Sequence, residues 1–186
     1  FVASDWLVDH LEKNRAGLWV WNHLFDWEYR TPLKAPWYSA LAQGQGISVL
    51  VRAHRETSST TYLEAAHRAF EPFLKTVEEG GVTCVDDRGH TWFEEYIVSP
   101  PTPILNGFIW ASWGIYDYLL ATGEPIAQKL FNQAVETLEA SLHHYDAGFW
   151  SLYEQSGTRL EMVASPLYHQ LHIAQLDGLH RLTGKE

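Results

Sequence analysis

Glu94 and Glu95 stand side by side in Trp92-Phe93-Glu94-Glu95-Tyr96, two carboxylates hemmed in by three aromatic rings. Burial without a partner disfavours the charged form of a carboxylate and raises its pKa, which makes such a group a candidate for proton transfer. The same pair would be inert as a solvated strip. Tyrosines recur at comparable places further along: Tyr96 and Tyr153 close two aromatic runs, Tyr168 opens a helical segment, and Tyr38 opens an earlier one. A tyrosine hydroxyl titrates at about 10 and carries its proton at neutral pH. If these hydroxyls converge on one cleft with Glu95, they supply acid and base on two sides of a bound substrate.

The chain must be able to build such a cleft. Its 186 residues are 46% hydrophobic, enough for one domain with a sizeable core. Nine Trp, nine Tyr and eight Phe fit either a groove lined with rings, on which sugars stack, or simply a bulky core. A formal charge of −10 argues against nucleic acid, whose phosphates need a basic surface. One cysteine, Cys84, leaves no internal disulfide and no cysteine-rich metal site. No apolar run reaches the 18 residues of a membrane span, and the start at Phe1, without a signal peptide, reads as a mature form or a fragment.

Periodicity and turn residues lay out the elements. Trp6, Leu7 and Leu11 are helically spaced, with Ser4 as N-cap, and Leu18 to Trp21 is strand-like. Residues 37–57 predict a helix with Leu41, Gln45, Val49 and Ala53 in register, in which Gly44 and Gly46 imply close approach by another backbone or a ligand. A second helix is expected over 60–79, ended by Gly80-Gly81, and a hairpin over 82–98 around Asp86-Asp87-Arg88-Gly89. Helices follow over 105–122, closed by Gly123, from Pro125 to about 144, and from Pro166 to 182, ended by Gly184. Residues 149–153 predict another strand.

The order repeats. A helix, an aromatic strand holding a tryptophan (Trp19, Trp92, Trp150), a loop and a second helix recur, the later helices starting about 60 to 70 residues apart. Units of this size bury their faces only by packing side by side. The fold expected is mainly α, an (α/α) barrel or toroid, incomplete or not, with short β-hairpins at one end; a plain α+β bundle is the alternative.

Four blocks carry a resemblance: Pro36-Trp37-Tyr38-Ser39-Ala40-Leu41-Ala42-Gln43-Gly44, Trp92 to Tyr96, Leu105-Asn106-Gly107-Phe108, and Tyr168-His169-Gln170-Leu171-His172-Ile173. In this order and spacing the chain resembles the C-terminal catalytic domain of the heparosan or heparan D-glucuronyl C5-epimerases over nearly its whole length. The resemblance implies an (α/α) domain, without cofactor or metal, acting on uronic acid residues of a polysaccharide. It also implies an N-terminal β-rich region in full-length relatives that this chain lacks, and it leaves open a homodimer. The catalytic groups it implies are Glu95, Tyr96, Tyr153 and Tyr168. Its blocks add Tyr38, Gln43, Asn106 and His172 as substrate-binding candidates. Where the family carries a basic residue after the third strand's tyrosine, this chain has Glu154-Gln155-Ser156. Arg159 is the nearest replacement as a clamp for the substrate carboxylate, with Arg52, Arg30 and Lys34 behind it.

The implied chemistry suits these residues. C5 of a glucuronate carries a hydrogen α to a carboxylate, and its removal leaves a carbanion with enolate character. Reprotonation from the opposite face gives the iduronate. Glu95 is the base and Tyr168 the acid in this scheme. In a regular strand Glu95 and Tyr96 point to opposite faces, so both reach one cleft only if the strand ends or bulges there. Elimination of the 4-linked sugar from the same intermediate would make a lyase, and Glu94, Glu95, Asp146 and Glu154 could instead supply a glycosidase acid pair. A glycan-binding domain would need only the rings. His169 and His172 lack a third metal ligand in sequence, and Ser39 and Ser112 lack a nucleophile elbow.

Overall fold

The computed structural model describes residues 1–155, 157 and 161–185. It is mainly helical: α1 (Val2–Asp9), α2 (Ala40–Thr57), α3 (Thr60–Phe70), α4 (Leu105–Thr122), α5 (Pro125–Ser141) and α6 (Pro166–Thr183). Two small antiparallel sheets interrupt them, β1 (Glu12–Lys13) with β2 (Trp19–Val20), and β3 (Thr83–Val85) with β4 (Thr91–Phe93). Among the described residues no helix is long and apolar enough to cross a membrane.

Helix ends follow local chemistry. Ser39 caps α2 by accepting from the Ala42 amide, and Ser165 caps α6 by accepting from the Tyr168 amide. Pro125 and Pro166 occupy first turns, where their missing N–H costs nothing. Gly123 and Gly184 close α4 and α6 at φ +69° and +68°, the left-handed conformation glycine adopts without strain. Three expectations shift. The first helix starts at Val2, with Ser4 buried inside it rather than capping it. The helix after Thr60 ends at Phe70, because Pro72 cannot continue it and 3₁₀ turns follow. Residues 149–153 form isolated bridges, Asp146 to Ser151 and Leu152 to Val163, rather than a strand.

α2 packs on α4, α4 on α6, and α3 and α5 lie against α2 and α4 from behind, which makes two layers of helices. The α2–α4 crossing is the tightest in the molecule's helical core. A Cβ on Gly114 would lie 2.3 Å from the Gly44 Cα, and one on Gly44 would lie 2.7 Å from the Ala111 Cα. Gly46 in turn makes room for the Trp21 ring. These glycines select the buried face of α2, which carries Gln43, Ile47, Leu50 and Ala53, whereas Gln45 and Val49 of the expected stripe face outward. We expect Gly114→Ala to destabilise the fold by about 1–3 kcal/mol, since it overpacks backbone against backbone, although helix propensity alone would favour Ala by about 1 kcal/mol. Chemical denaturation of the variant checks the sign.

The main core lies between the layers, with Ile47, Phe70, Phe73, Phe108 and Ile115 almost wholly enclosed. Burial of each such side chain contributes about 1.5–3 kcal/mol. A smaller cluster of Leu33, Tyr96, Ile104, Tyr153 and Ala164 sits at the N-terminal ends of α4 and α6, flanked by Tyr29, Trp37, Trp150 and Tyr168. The end of the β3–β4 hairpin and the Tyr153 segment meet at this same end: the Ala40 amide at the start of α2 donates to the Glu94 carbonyl (2.9 Å), and the Leu105 amide at the start of α4 donates to the Tyr153 carbonyl (3.1 Å).

Candidate active site

β4 ends at Phe93 and the chain bends at Glu95 and Tyr96. That bend meets the geometric demand on the strand. Residues 91–96 are all buried on both sides of it. The Glu95 carboxylate is 8% exposed, with Tyr153 Oη 3.5 Å from Oε1 and Asn106 Nδ2 3.5 Å from Oε2. Both donors are at the outer limit of hydrogen bonding. Burial pushes the Glu95 pKa up to about 7, against the opposing influence of the Tyr96 and Tyr153 hydroxyls.

The tyrosines surround this acid. The Tyr153 and Tyr168 rings lie 4.9 Å apart at 53°, and Tyr96 packs 4.4 Å from Tyr29 and 5.8 Å from Trp37. Tyr96 and Tyr153 are held protonated far above the usual tyrosine range, mainly by burial and also by the neighbouring Glu95 charge. Four residues from three separate segments, Glu95 and Tyr96 at the β4 end, Tyr153 before the final loop and Tyr168 in the first turn of α6, thus form one cluster. Trp27, 42% exposed, and Trp37 extend it outward as an aromatic wall.

The other expected site residues divide. Asn106 touches Glu95. Tyr38 does not join the tyrosines: its hydroxyl donates to the Gly80 carbonyl (2.8 Å) and its ring packs on the main core. Gln43 is fully buried and serves the fold. Its Oε1 accepts from the Trp21 amide, and its Nε2 donates to the Trp19 and Ala69 carbonyls, so no polar atom is left for substrate. His172 is 1% exposed, bonded through Nδ1 to Ser151 Oγ at 2.8 Å, and kept neutral by a burial that lowers its pKa to about 4. Arg159 lies outside the described residues. Of the alternative clamps, Arg52 is bidentate to Asp117, and Lys34 pairs with the exposed Asp26. Arg30 pairs with the buried Glu154, which brings it beside the Tyr153 segment.

Gly107 is a site residue the sequence reading passed over. A Cβ there would lie 2.0 Å from Glu95 Oε2, so the glycine in the first turn of α4 is the space into which the carboxylate fits. A glycine early in a helix, next to an asparagine that contacts the acid, was the available signal. Glu94 is 2% exposed and faces the opposite side, toward a cleft of about 620 Å³ lined by Cys84, Asp86, His90 and His144. Its pKa also rises to about 7 through burial, opposed by the Thr102 amide. Among the described residues no group of three or more His, Cys, Asp or Glu side chains could hold a metal ion.

Comparisons with known proteins bear on the fold and the family. The chain superposes on cellobiose 2-epimerase from Spirochaeta thermophila with a TM-score of 0.57 at 15% identity, over 80% of this chain and 39% of that one. It superposes on a glycoside hydrolase family 76 mannosidase from Bacteroides thetaiotaomicron with a TM-score of 0.55 at 16% identity, over 86% and 41%. At these identities the likeness is one of fold alone, a mainly helical chain that matches part of two α/α-toroid enzymes. The family model described as "D-glucuronyl C5-epimerase C-terminus" matches residues 13–186, and the chain belongs to that family. It is 31% identical to the D-glucuronyl C5-epimerase of Caenorhabditis elegans over 93% of this chain and 30% of that protein. It is 33% identical to an uncharacterized protein of Methanocaldococcus jannaschii over 94% and 56%. The chain therefore spans about a third to somewhat over half the length of these relatives.

Proposed function

We propose that this domain inverts C5 of D-glucuronate residues within an unsulfated or lightly sulfated uronic acid polysaccharide. The observation that carries the reading is the Glu95 carboxylate, buried at a bend with a pKa of about 7, beside the Tyr153 hydroxyl, whose ring in turn lies 4.9 Å from that of Tyr168. Family membership and the nematode relative support it. The two layers of helices read as an arc of an (α/α) toroid whose cleft opens at the hairpin end.

Ionised Glu95 takes the C5 proton, and the electron pair moves into the substrate carboxyl group as an enolate. Tyr168 returns a proton from the opposite face and is left as a phenolate, which solvent reprotonates while Glu95 releases the proton it took. Tyr96 and Tyr153, held protonated, donate toward Glu95 and the developing charge. A positioned acid and base supply about 10²–10⁴-fold. The remainder falls to electrostatic stabilisation of the enolate, for which Arg30 and Arg159 are the cationic candidates. The formal charge of −10 makes tight binding of a heavily sulfated chain unfavourable. A hydrolase built on paired carboxylates is less well supported, because Glu94 faces a different cleft and Glu154 is paired with Arg30.

Two measurements follow. Because Glu95 must be ionised to act, kcat/KM is expected to rise with pH through about 7 and then level off, Tyr96 and Tyr153 staying protonated well above that. A pH–rate profile flat between 5 and 9 contradicts the base assignment. Product analysis by NMR on unsulfated glucuronan separates the reactions. Intact chains containing iduronate are expected; unsaturated uronate ends indicate a lyase, and new saturated reducing ends a hydrolase.

A further inference from the structure

We infer that Ser151, His169 and His172 form a positioning unit that sets Tyr153 and Tyr168 at their working separation; the inference rests on the roles proposed for those two tyrosines, Tyr168 as proton donor to C5 and Tyr153 as hydrogen-bond donor to Glu95. Ser151 lies two residues before Tyr153, and the two histidines lie one and four residues after Tyr168. The Ser151 hydroxyl oxygen is 2.9 Å from His169 Nδ1 and 2.8 Å from His172 Nδ1, and the Ser151 amide is 3.3 Å from His169 Nδ1. One serine thus joins the segment that carries Tyr153 to the helix that carries Tyr168.

The amide fixes the direction of the chain of protons. It donates to His169 Nδ1, so that nitrogen holds a lone pair and not a hydrogen. The arrangement that satisfies every contact runs from His172 Nδ1–H to Ser151 Oγ, and from Ser151 Oγ–H to His169 Nδ1. The reverse direction would set a second N–H against the amide. His172 is almost fully enclosed and stays neutral, and the Nδ1–H tautomer of the neutral ring makes this donation.

Further contacts lock the same elements. The Ala164 amide donates to the Ser151 carbonyl (2.9 Å), and Trp150 Nε1 donates to the Ala164 carbonyl (2.8 Å). The Trp150 ring stacks on His169 at 3.9 Å and 18°. Segment 150–153 and the first turn of α6 are thereby fastened on two sides, which leaves Tyr153 and Tyr168 with a set ring separation of 4.9 Å. Tyr153 contacts the base Glu95, so that separation carries through to the placement of base and acid, on which opposite-face deprotonation and reprotonation depends. A displacement of about 1 Å costs as much as about 10²-fold in such a geometry.

The test measures kcat, KM and the fate of deuterium for Ser151→Ala and Ser151→Thr on unsulfated glucuronan in deuterated water. For Ser151→Ala, kcat is expected to fall by as much as about 10²-fold with KM unchanged. The share of deuterium found in uninverted glucuronate should rise, because abstraction outlives correctly aimed reprotonation. Ser151→Thr, which keeps the hydroxyl, should recover kcat and the wild-type partition. A role in folding alone would move the melting temperature and leave the kcat of the folded protein and the partition unchanged, and that result overturns the inference. If Ser151→Ala does not fold, His172→Asn and His172→Phe decide: the Asn keeps an N–H donor where Nδ1 stands and should retain kcat, and equal kcat in the two variants overturns the inference. Tyr168→Phe is the control on the underlying reading. If it abolishes inversion while Ser151→Ala keeps kcat and partition, only the positioning unit falls; if Tyr168→Phe inverts normally, the functional reading falls first.

Discussion

Glu95→Gln is expected to lower C5 inversion by about 10²–10⁴-fold, the contribution typical of a positioned base, and at the same time to stabilise the protein above neutral pH. The two effects have opposite signs for one physical reason. Burial raises the folded-state pKa of Glu95 from 4.5 to about 7. Below pH 4.5 both folded and unfolded chains hold the proton, and the group is neutral toward stability. Between 4.5 and about 7 the folded state keeps a proton that the unfolded state has released, so stability falls as pH rises. Above about 7 the folded chain carries an ionised buried carboxylate at a cost of about 3 kcal/mol, an order-of-magnitude figure. Gln removes that cost along with the base, although its amide cannot accept from both Asn106 and Tyr153 as the carboxylate does. Denaturation of wild type and variant at pH 5 and pH 8 is the check: the difference should favour Gln more at pH 8. A variant equally stable relative to wild type at both values contradicts the buried-carboxylate account. Glu94→Gln carries the same expectation for stability, without a base to lose.

The second large effect is expected from Gly107→Ala. Helix propensity favours the Ala by about 1 kcal/mol, yet its Cβ would fall 2.0 Å from Glu95 Oε2 and 2.9 Å from the Glu95 Cβ. The carboxylate must swing away from Tyr153 and Asn106, or α4 must move. Overpacking of this kind costs about 1–3 kcal/mol, and a displaced base loses about 10²-fold or more in rate. Activity is therefore expected to drop further than stability, measurable as kcat of the folded fraction alongside a denaturation curve. A Gly107→Ala enzyme with wild-type kcat would show that Glu95 does not need this space.

How far the sequence reached can be seen residue by residue. Gly123, Gly184, Pro125 and Pro166 act through their own backbone restrictions, so the ends of α4, α5 and α6 were readable locally. The four catalytic candidates were named from motif order, and the structure brings them together at a bend that the alternation of a strand required. Side-chain destinations were harder. Tyr38 and Gln43 sit in the same block as the site-forming helix start, but their partners, Gly80, Trp19 and Ala69, are 24 to 42 residues away in sequence. The face of α2 was misassigned because Gly44, seated against α4, and Gly46, seated against the Trp21 ring, decide which side is buried. Gly107 and Ser151 escaped notice for a related reason: each matters through what it touches, a carboxylate and two histidines, and a small residue shows nothing of that in its own chemistry.

Solvent deuterium at C5 tests the central claim most directly. Unsulfated glucuronan incubated with the protein in deuterated water should gain deuterium at C5 in the iduronate formed, in chains of unchanged length, with deuterated iduronate lost in Glu95→Gln and Tyr168→Phe. Inversion that leaves the C5 hydrogen of the substrate in place, or incorporation that persists undiminished in Glu95→Gln, would contradict proton transfer at this cluster.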